Sequence, residues 1–166
     1  MTTYISTLDT KAGPFTIIVD GEGSVLASGW TADAGALVPL IHRHLREEPL
    51  IRKDLGPAAR AVIAYHNGDL AAPDTVPVRQ HATGGFLTAA WKTLREVRPG
   101  EPVSYTELAA RTGNSAAVRA AAQACARNAA ALFVPCHRVI RTDGSLGGFR
   151  WGLDVKRWLL AHEAKG

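Results

Sequence analysis

A stretch rich in glycine, proline and aspartate, residues 66–85 (HNGDLAAPDTVPVRQHATGG), divides this chain into two halves. Such a composition is typical of turns and linkers rather than of the interior of a helix or strand. The chain has 166 residues, which is enough for two small domains. We therefore expect an N-terminal domain over residues 1–80 and a C-terminal domain over residues 84–166.

The two halves differ in charge. Residues 1–83 contain 7 Lys and Arg against 9 Asp and Glu, whereas residues 84–166 contain 12 against 6. A basic half is typical of a domain that binds a polyanion, and it is equally compatible with a basic, solvated surface. Charge alone leaves both interpretations open.

The N-terminal half predicts an α/β domain with a small antiparallel sheet. Apolar and β-branched residues alternate with polar ones over residues 3–8, 14–19 and 24–30, and turn signals separate these segments. Two later segments, residues 34–48 and 55–69, have the apolar spacing of helices.

The C-terminal half predicts a mostly helical domain. A first helix runs from Phe86 to the PG pair at 99–100, and Ser104 with Glu107 forms a capping box for a second helix that ends near Gly113. A third helix follows, with Ser115 as its expected cap. The last two helices form either a helix-turn-helix motif or an ordinary packing pair.

The third helix is rich in alanine. Arg119, Gln123 and Arg127 recur every four residues and share one face. A helix with few bulky side chains can enter the DNA minor groove, which is only about 6 Å wide, and it can equally pack closely against another helix.

The segment FVPCHRVI, residues 133–140, places Cys136 directly after Pro135 and before His137. Proline denies a strand one backbone donor and predicts an edge or a turn. In an extended segment His137 would point away from the sulfur, so a proton relay between them would bend or pass through a water. Cysteine attacks as a thiolate, and His137, Arg138 and Arg141 offer a base and positive charge. The residues alone leave a reactive and an inert Cys136 equally open.

The remaining cysteine and histidines suggest no second site. Cys125 has no neighbouring base and is interpreted as a small buried apolar residue. No defensible role falls to His42, His44, His66 and His81, since the HRH at 42–44 stands apart from any cysteine. Two cysteines are too few for a disulfide framework, and no signal peptide or bilayer-spanning run is visible, so a cytoplasmic protein is expected.

Several motifs together resemble the O6-alkylguanine-DNA alkyltransferase family. These are PGEPVSY, AVRAAAQACARN, VPCHRVIRTDGSLGGFRWG and KRWLLAHE, in the order and spacing of that family. The resemblance covers at least residues 86–163. It implies an α+β fold, with a ribonuclease-H-like N-terminal α/β domain and a winged-helix-like C-terminal domain that carries a helix-turn-helix.

The resemblance also implies catalytic roles. Cys136 would accept the alkyl group irreversibly, His137 would polarise a water against the thiol, and Glu163 would hold this histidine. Asn128 would tie the alanine-rich helix to the active-site segment, and Tyr105 would donate a proton to the leaving guanine. Such a chain follows the nucleophile, base and orienting-group logic of hydrolytic triads, although no product leaves the sulfur.

The implied partner is duplex DNA containing O6-alkylguanine, bound through the minor groove by a monomer, with no membrane partner. The target base has to leave the stack, and Arg119 resembles the residue that replaces it. The implied DNA-binding residues are Arg119, Tyr105, Gln123, Ala120 and Arg127.

The implied guanine pocket is formed by Val139, Gly147, Gly148, Phe149, Arg150 and Trp151. Phe149 stands where many members have tyrosine, and Trp151 stands where some have glycine. We hypothesise that methyl adducts react well and that bulky free-base inhibitors bind poorly.

No cofactor and no metal are expected. Some family members bind zinc in the N-terminal domain through cysteines and histidines, and this half contains no cysteine. Two other functions remain as alternatives: a sensor or regulator that binds alkylated DNA without repairing it, and a cysteine hydrolase that uses Cys136 and His137 over many turnovers.

Overall fold

The computed structural model describes residues 2–47 and 50–166, which form two compact units. The N-terminal unit consists of residues 1–81 together with 129–133, and the C-terminal unit consists of residues 82–128 and 134–166. The domain division expected from the sequence does not include the excursion of residues 129–133 into the N-terminal unit.

A four-stranded sheet forms the centre of the N-terminal unit. Its strands are β1 (Thr3–Thr10), β2 (Gly13–Val19), β3 (Val25–Gly29) and β4 (Leu50–Arg52), in the order β3-β2-β1-β4. The antiparallel pairing of β1 with β2 and of β2 with β3 confirms the predicted meander. The expectation of a purely antiparallel sheet is wrong, because β4 joins β1 in parallel.

The helix predicted over residues 34–48 is absent from the described part of this segment. Three 3₁₀ turns replace it, at Ala34–Ala36, Val38–Leu40 and Arg43–Leu45, and Glu48 lies outside the described residues. Pro39 lacks the N–H that a continuous helix needs, and the Asp33 side chain accepts from the N–H of Gly35 at 2.8 Å, which caps a short turn instead. The second predicted helix is present as α1 (Pro57–His66).

The predicted linker is partly fixed to the sheet. The N–H of Val25 donates to the carbonyl of Pro77 at 2.8 Å, and the N–H of Arg79 donates back to Val25 at 2.9 Å. Residues 129–133 contact the same strand, since the Ser28 N–H donates to the carbonyl of Ala129 at 2.9 Å.

The C-terminal unit contains α2 (Gly85–Glu96), β5 (Val103–Ser104), α3 (Tyr105–Arg111), α4 (Val118–Ala126), β6 (Val139–Ile140) and α5 (Leu153–Ala164). The Ser104 side chain accepts from the N–H of Glu107 at 3.0 Å, which confirms the predicted cap of α3. The predicted Ser115 cap of α4 is wrong: α4 begins later, after a turn in which the Asn114 side chain accepts from the N–H of Ala116 at 3.1 Å.

None of the helices in the described ranges is both long enough and apolar enough to cross a membrane.

Candidate active site

Cys136 begins a short 3₁₀ turn, Cys136–Arg138, that leads into β6. Its N–H donates to the carbonyl of Val134 at 2.8 Å, two residues back, so the chain bends sharply at Pro135. The turn predicted from the proline is therefore present. The extended geometry considered for His137 is wrong, because Cys136 and His137 follow each other around a turn.

A buried chain of polar groups begins at His137. Its Nε2 lies 2.7 Å from Oε2 of Glu163, and both side chains are buried. Arg138 completes the cluster: its Nε donates to Oε1 of Glu163 at 2.9 Å and its Nη2 donates to Oε2 at 3.0 Å. The Arg138 Nη1 also donates to the carbonyl of Val97 at 2.7 Å. Glu163 thus accepts hydrogen bonds from three donors. The sequence predicts Arg138 as a positive charge near the thiol, whereas in the structure its guanidinium binds the carboxylate of Glu163.

These contacts define the protonation state of the chain. Burial opposes ionisation of Glu163, but His137 and Arg138 outweigh it and lower the pKa of Glu163 to about 2. Burial lowers the pKa of His137 despite the attraction of Glu163, so the imidazole is neutral near pH 7. An ionised carboxylate only accepts hydrogen bonds, so Nε2 of His137 carries the proton and Nδ1 carries the lone pair.

Nδ1 of His137 is buried and has no hydrogen-bond partner among the described residues. An unsatisfied buried nitrogen is costly, and here it is the basic nitrogen of a ring held in one tautomer. This arrangement can accept a proton from a nearby donor, directly or through a water.

The Cys136 thiol is protonated at rest and lies among groups that favour the thiolate. Burial raises the pKa of Cys136, while a hydrogen bond from the Asn128 side chain and the charges of Lys156 and Arg150 act in the opposite direction. Asn128 also donates through Nδ2 to the carbonyl of Val134 at 2.7 Å, which links the end of α4 to the segment before Cys136. The thiol therefore needs a base to react, and its surroundings stabilise the anion that forms.

Lys156 was missed by the sequence analysis. It is completely buried on α5, and its Nζ donates to the carbonyls of Val139 at 2.8 Å and of Gly148 at 3.3 Å. Burial lowers the pKa of Lys156, and a thiolate at Cys136 would partly offset this effect. The sequence does contain an indication of this role. Lys156 shares one face of α5 with the buried residues Leu159 and Glu163, and a charged residue on a buried helix face usually has a specific partner.

Tyr105 opens α3 and lies close to the thiols. Burial, and then the negative charge that Cys125 and Cys136 carry as thiolates, raises the pKa of Tyr105 to about 12, so its hydroxyl remains a donor. A Cβ on Gly147, which has φ +72°, would lie 3.2 Å from the Tyr105 hydroxyl oxygen. Glycine thus allows this close approach. Cys125 is partly exposed rather than buried, which corrects the expectation for it.

The alanine-rich helix α4 has two distinct faces. Ala121 and Ala124 are buried, and the carbonyl of Ala124 accepts from Nε1 of Trp91 at 3.0 Å. The exposed positions include all four that the sequence analysis assigned to DNA on this helix and at its end: Arg119, Ala120, Gln123 and Arg127. Small residues therefore serve close packing on one side while leaving a low, basic surface on the other.

The predicted pocket loop follows β6. Gly148 and Arg150 are exposed, Phe149 and Trp151 are partly exposed, and Val139 is buried. The Arg150 guanidinium donates to the carbonyl of Ala126 at the end of α4. The loop, the helix and the thiol segment are thus connected within one unit.

The lowered pKa values of His137 and Glu163 predict an acid-sensitive C-terminal unit. Folded His137 binds a proton less readily than an unfolded histidine, whose pKa is 6.5, so stability should fall as the pH drops below that value. Folded Glu163 titrates near 2 rather than 4.5, so its contribution is present above pH 4.5 and is lost as the pH falls towards 2.

Urea denaturation followed by tryptophan fluorescence at a series of pH values measures this effect. The Asn side chain in His137→Asn binds no proton. This variant should therefore lose most of the dependence of the free energy of unfolding on pH just below pH 6.5. An unchanged slope in that variant would assign the effect to other groups.

Comparison with known proteins identifies the class of protein to which the C-terminal unit belongs. Residues 85–165 match the family model described as the DNA-binding domain of 6-O-methylguanine DNA methyltransferase. A Shigella flexneri methylated-DNA–protein-cysteine methyltransferase is 35% identical over 93% of this chain and 91% of that protein. The chain belongs to the methylated-DNA–protein-cysteine methyltransferase family.

Two further comparisons differ in extent. The Escherichia coli bifunctional transcriptional activator and DNA repair enzyme Ada is 47% identical, over 56% of this chain and 26% of that protein. The crystal structure of Mycobacterium tuberculosis OGT in complex with DNA superposes with a TM-score of 0.80 at 27% identity, covering 98% of this chain and 93% of that one. The similarity therefore extends over both units of the chain.

Proposed function

We propose that this protein repairs O6-alkylguanine in duplex DNA by moving the alkyl group, chiefly methyl, irreversibly to Cys136. The observation that carries the proposal is the buried chain of Arg138, Glu163 and His137, which leaves a basic imidazole nitrogen in the turn that begins with the thiol. Family membership and the match to a DNA-binding domain support the same activity.

The proposed reaction balances within the site. Nδ1 of His137 takes the thiol proton, directly or through a water, and the sulfur attacks the alkyl carbon as the bond from that carbon to O6 breaks. Tyr105 donates its proton to the leaving guanine, and the proton on His137 then restores the tyrosine. A thioether is not displaced by water, so each molecule acts once.

Asn128, Lys156 and Arg150 act on the developing thiolate in this proposal. The Asn128 amide and the two cations all favour the anionic sulfur, and fixed dipoles and charges that stabilise a developing charge are the largest contribution in many enzymes. Lys156 is a positioning residue as well, since its two hydrogen bonds join β6 to the loop that contains Gly148.

Binding of the DNA falls to the exposed face of α4 in this proposal. The small side chains on this face suit the narrow minor groove. In the proposed complex the DNA strands are contacted by Gln123, Ala120 and Arg127, and Arg119 occupies the gap left by the flipped guanine. Extruding a base costs a few kcal/mol, which the weakened alkylated pair and the inserted side chain offset.

Arg119→Ala should reduce the transfer rate on duplex DNA by roughly 10-fold to 100-fold, which corresponds to losing about 1–3 kcal/mol of the compensation for base flipping. Reaction with single-stranded O6-methylguanine DNA should change much less. Quench-flow measurement of methyl transfer to both substrates tests this.

The matched control for Arg119→Ala is Arg111→Ala, since Arg111 is an exposed arginine whose guanidinium binds Glu107 at 3.0 Å. Equal losses on both DNA substrates would show that Arg119 only contacts phosphate.

The guanine is proposed to lie against Val139 and the loop of residues 147–151, with the methyl preference following from Phe149 and Trp151.

We further propose that the N-terminal unit is ribonuclease-H-like, on the strand order β3-β2-β1-β4. The C-terminal unit is proposed to be winged-helix-like, with α3 and α4 as the helix-turn-helix, and the acting species is proposed to be a monomer.

Mass spectrometry after incubation with excess duplex carrying O6-methylguanine tests the function. The expected result is one added methyl per chain and an equal amount of restored guanine. Repair beyond one lesion per chain would indicate a turnover enzyme such as a hydrolase. Tight binding with the lesion intact would indicate a sensor.

A further inference from the structure

Three histidines that the sequence separates meet in the N-terminal unit. His42 caps the 3₁₀ turn Arg43–Leu45 and His44 lies within it, while His81 follows the segment that is hydrogen-bonded to β3. The sequence analysis treated the HRH at 42–44 as isolated, because the approach of His81 depends on the fold. None of these residues has a part in the proposed alkyl transfer.

The imidazole rings form a compact cluster. The centroids of His42 and His81 are 3.9 Å apart in a stacked arrangement, and those of His42 and His44 are 4.7 Å apart. One ring nitrogen from each histidine lies within 4.8 Å of the others. A tetrahedral zinc ion with bonds of about 2.0–2.1 Å needs nitrogens roughly 3.3 Å apart. The stacked rings of His42 and His81 must therefore turn apart so that both lone pairs point at one ion, and the exposed side chains of His44 and His81 have room to rotate.

His42 lies among several groups that oppose its protonation. Burial, followed by the charges of His81 and His44 and of Arg43 and Arg46, lowers the pKa of His42. Neutral imidazole is the form that ligates metals.

We propose that His42, His44 and His81 bind one Zn²⁺ ion, with water in the fourth position. Imidazole nitrogen is a preferred ligand of zinc, and three histidines with an open fourth position are an established zinc geometry. The expectation of no zinc depended on the missing cysteines, and a ligand set made only of histidines does not need them.

Binding also breaks one hydrogen bond. The N–H of His44 donates to Nδ1 of His42 at 3.2 Å. This bond is lost in either mode of coordination, because a metal on Nδ1 takes its lone pair and a metal on Nε2 moves the ring proton to Nδ1. The nearby cations Arg43 and Arg46 also oppose a divalent ion, so the affinity should be micromolar rather than the nanomolar affinity of closed cysteine sites.

The ion would join two distant parts of the chain. The 3₁₀ turn Arg43–Leu45 lies between Ile41 and Arg46, and the Nε of Arg46 donates to the carbonyl of Ile41 at 2.7 Å. His81 ends the segment bound to β3 through Pro77 and Arg79. Bridging them closes a long loop, and that closure stabilises the N-terminal unit.

Isothermal titration of the full chain with ZnCl₂ tests the proposal, in a Cys125→Ser, Cys136→Ser background that removes competing thiols. We expect one zinc per chain and a rise in the thermal midpoint of about 5 °C or more at a hundredfold excess over Kd. His44→Ala and His81→Ala should each weaken binding at least roughly tenfold. The matched control His162→Ala should bind as the background protein does.

Co²⁺ in place of zinc gives a second readout. Four-coordinate cobalt absorbs strongly in the visible region, and this band should disappear in the His44→Ala, His81→Ala double variant. No binding tighter than about 100 µM, or full binding by the double variant, would overturn the proposal. Methyl transfer should not respond to either histidine, so the outcome is independent of the repair function.

Discussion

Replacing Cys136 with serine should abolish methyl transfer while leaving binding to DNA intact. A serine hydroxyl has a far higher pKa than a thiol and is a much poorer nucleophile, and the neutral His137 is too weak a base to ionise it. We expect no methyl on the protein in intact-mass spectra after prolonged incubation with O6-methylguanine duplex, against complete modification of the unaltered chain. Binding measured by fluorescence anisotropy should change little, since the exposed face of α4 is untouched.

Cys125→Ser is the matched control for this experiment. Cys125 lies near the thiol of Cys136, and the partial burial of Cys125, together with a thiolate at Cys136, raises the pKa of Cys125. No base lies beside it in the sequence, so its removal should leave the extent of methylation unchanged. Methyl found on Cys125 in peptide spectra, or transfer that persists in Cys136→Ser, would contradict the assignment of the acceptor.

The parts of the fold that the sequence predicts are those determined by local interactions. The cap of α3 by Ser104 depends on residues three apart, and the turn at Pro135 depends on proline itself. The β1-β2-β3 meander likewise follows from adjacent segments and short turns. In the site, Cys136 and His137 were visible because they are neighbours in a motif.

The features that the sequence does not reveal depend on contacts between distant residues. The helix expected over residues 34–48 does not form in the described part of this segment, because Asp33 caps a short turn and Pro39 lacks the N–H that a continuous helix needs. β4 is a strand of three residues that can be recognised only through its pairing with β1. The clamp of Arg138 on Glu163 and the burial of Lys156 require α5 to be placed against the thiol segment.

The clamp gives Glu163 two roles that one experiment can separate. As a carboxylate it fixes the tautomer of His137, and as a counter-ion it neutralises the buried Arg138. Glu163→Gln preserves the shape but supplies one acceptor oxygen where two charged ones stood. Arg138 is then left without its counter-ion in a buried site, which costs about 3–5 kcal/mol, and the proton on His137 is no longer confined to Nε2.

We therefore expect Glu163→Gln to lower both the stability and the transfer rate. The free energy of unfolding should fall by about 3–5 kcal/mol, and the second-order rate constant for methyl transfer should fall by about 10²–10⁴, the usual contribution of a general base. The measurements are urea denaturation and quench-flow transfer, the latter at a temperature where the variant remains folded. Asp154→Asn is the matched control on the same helix, because its exposed pair with Arg157 at 2.9 Å contributes little. A stable variant with a slow reaction would assign Glu163 to orienting His137 alone, and an unstable variant with a normal rate would assign it to neutralising Arg138 alone.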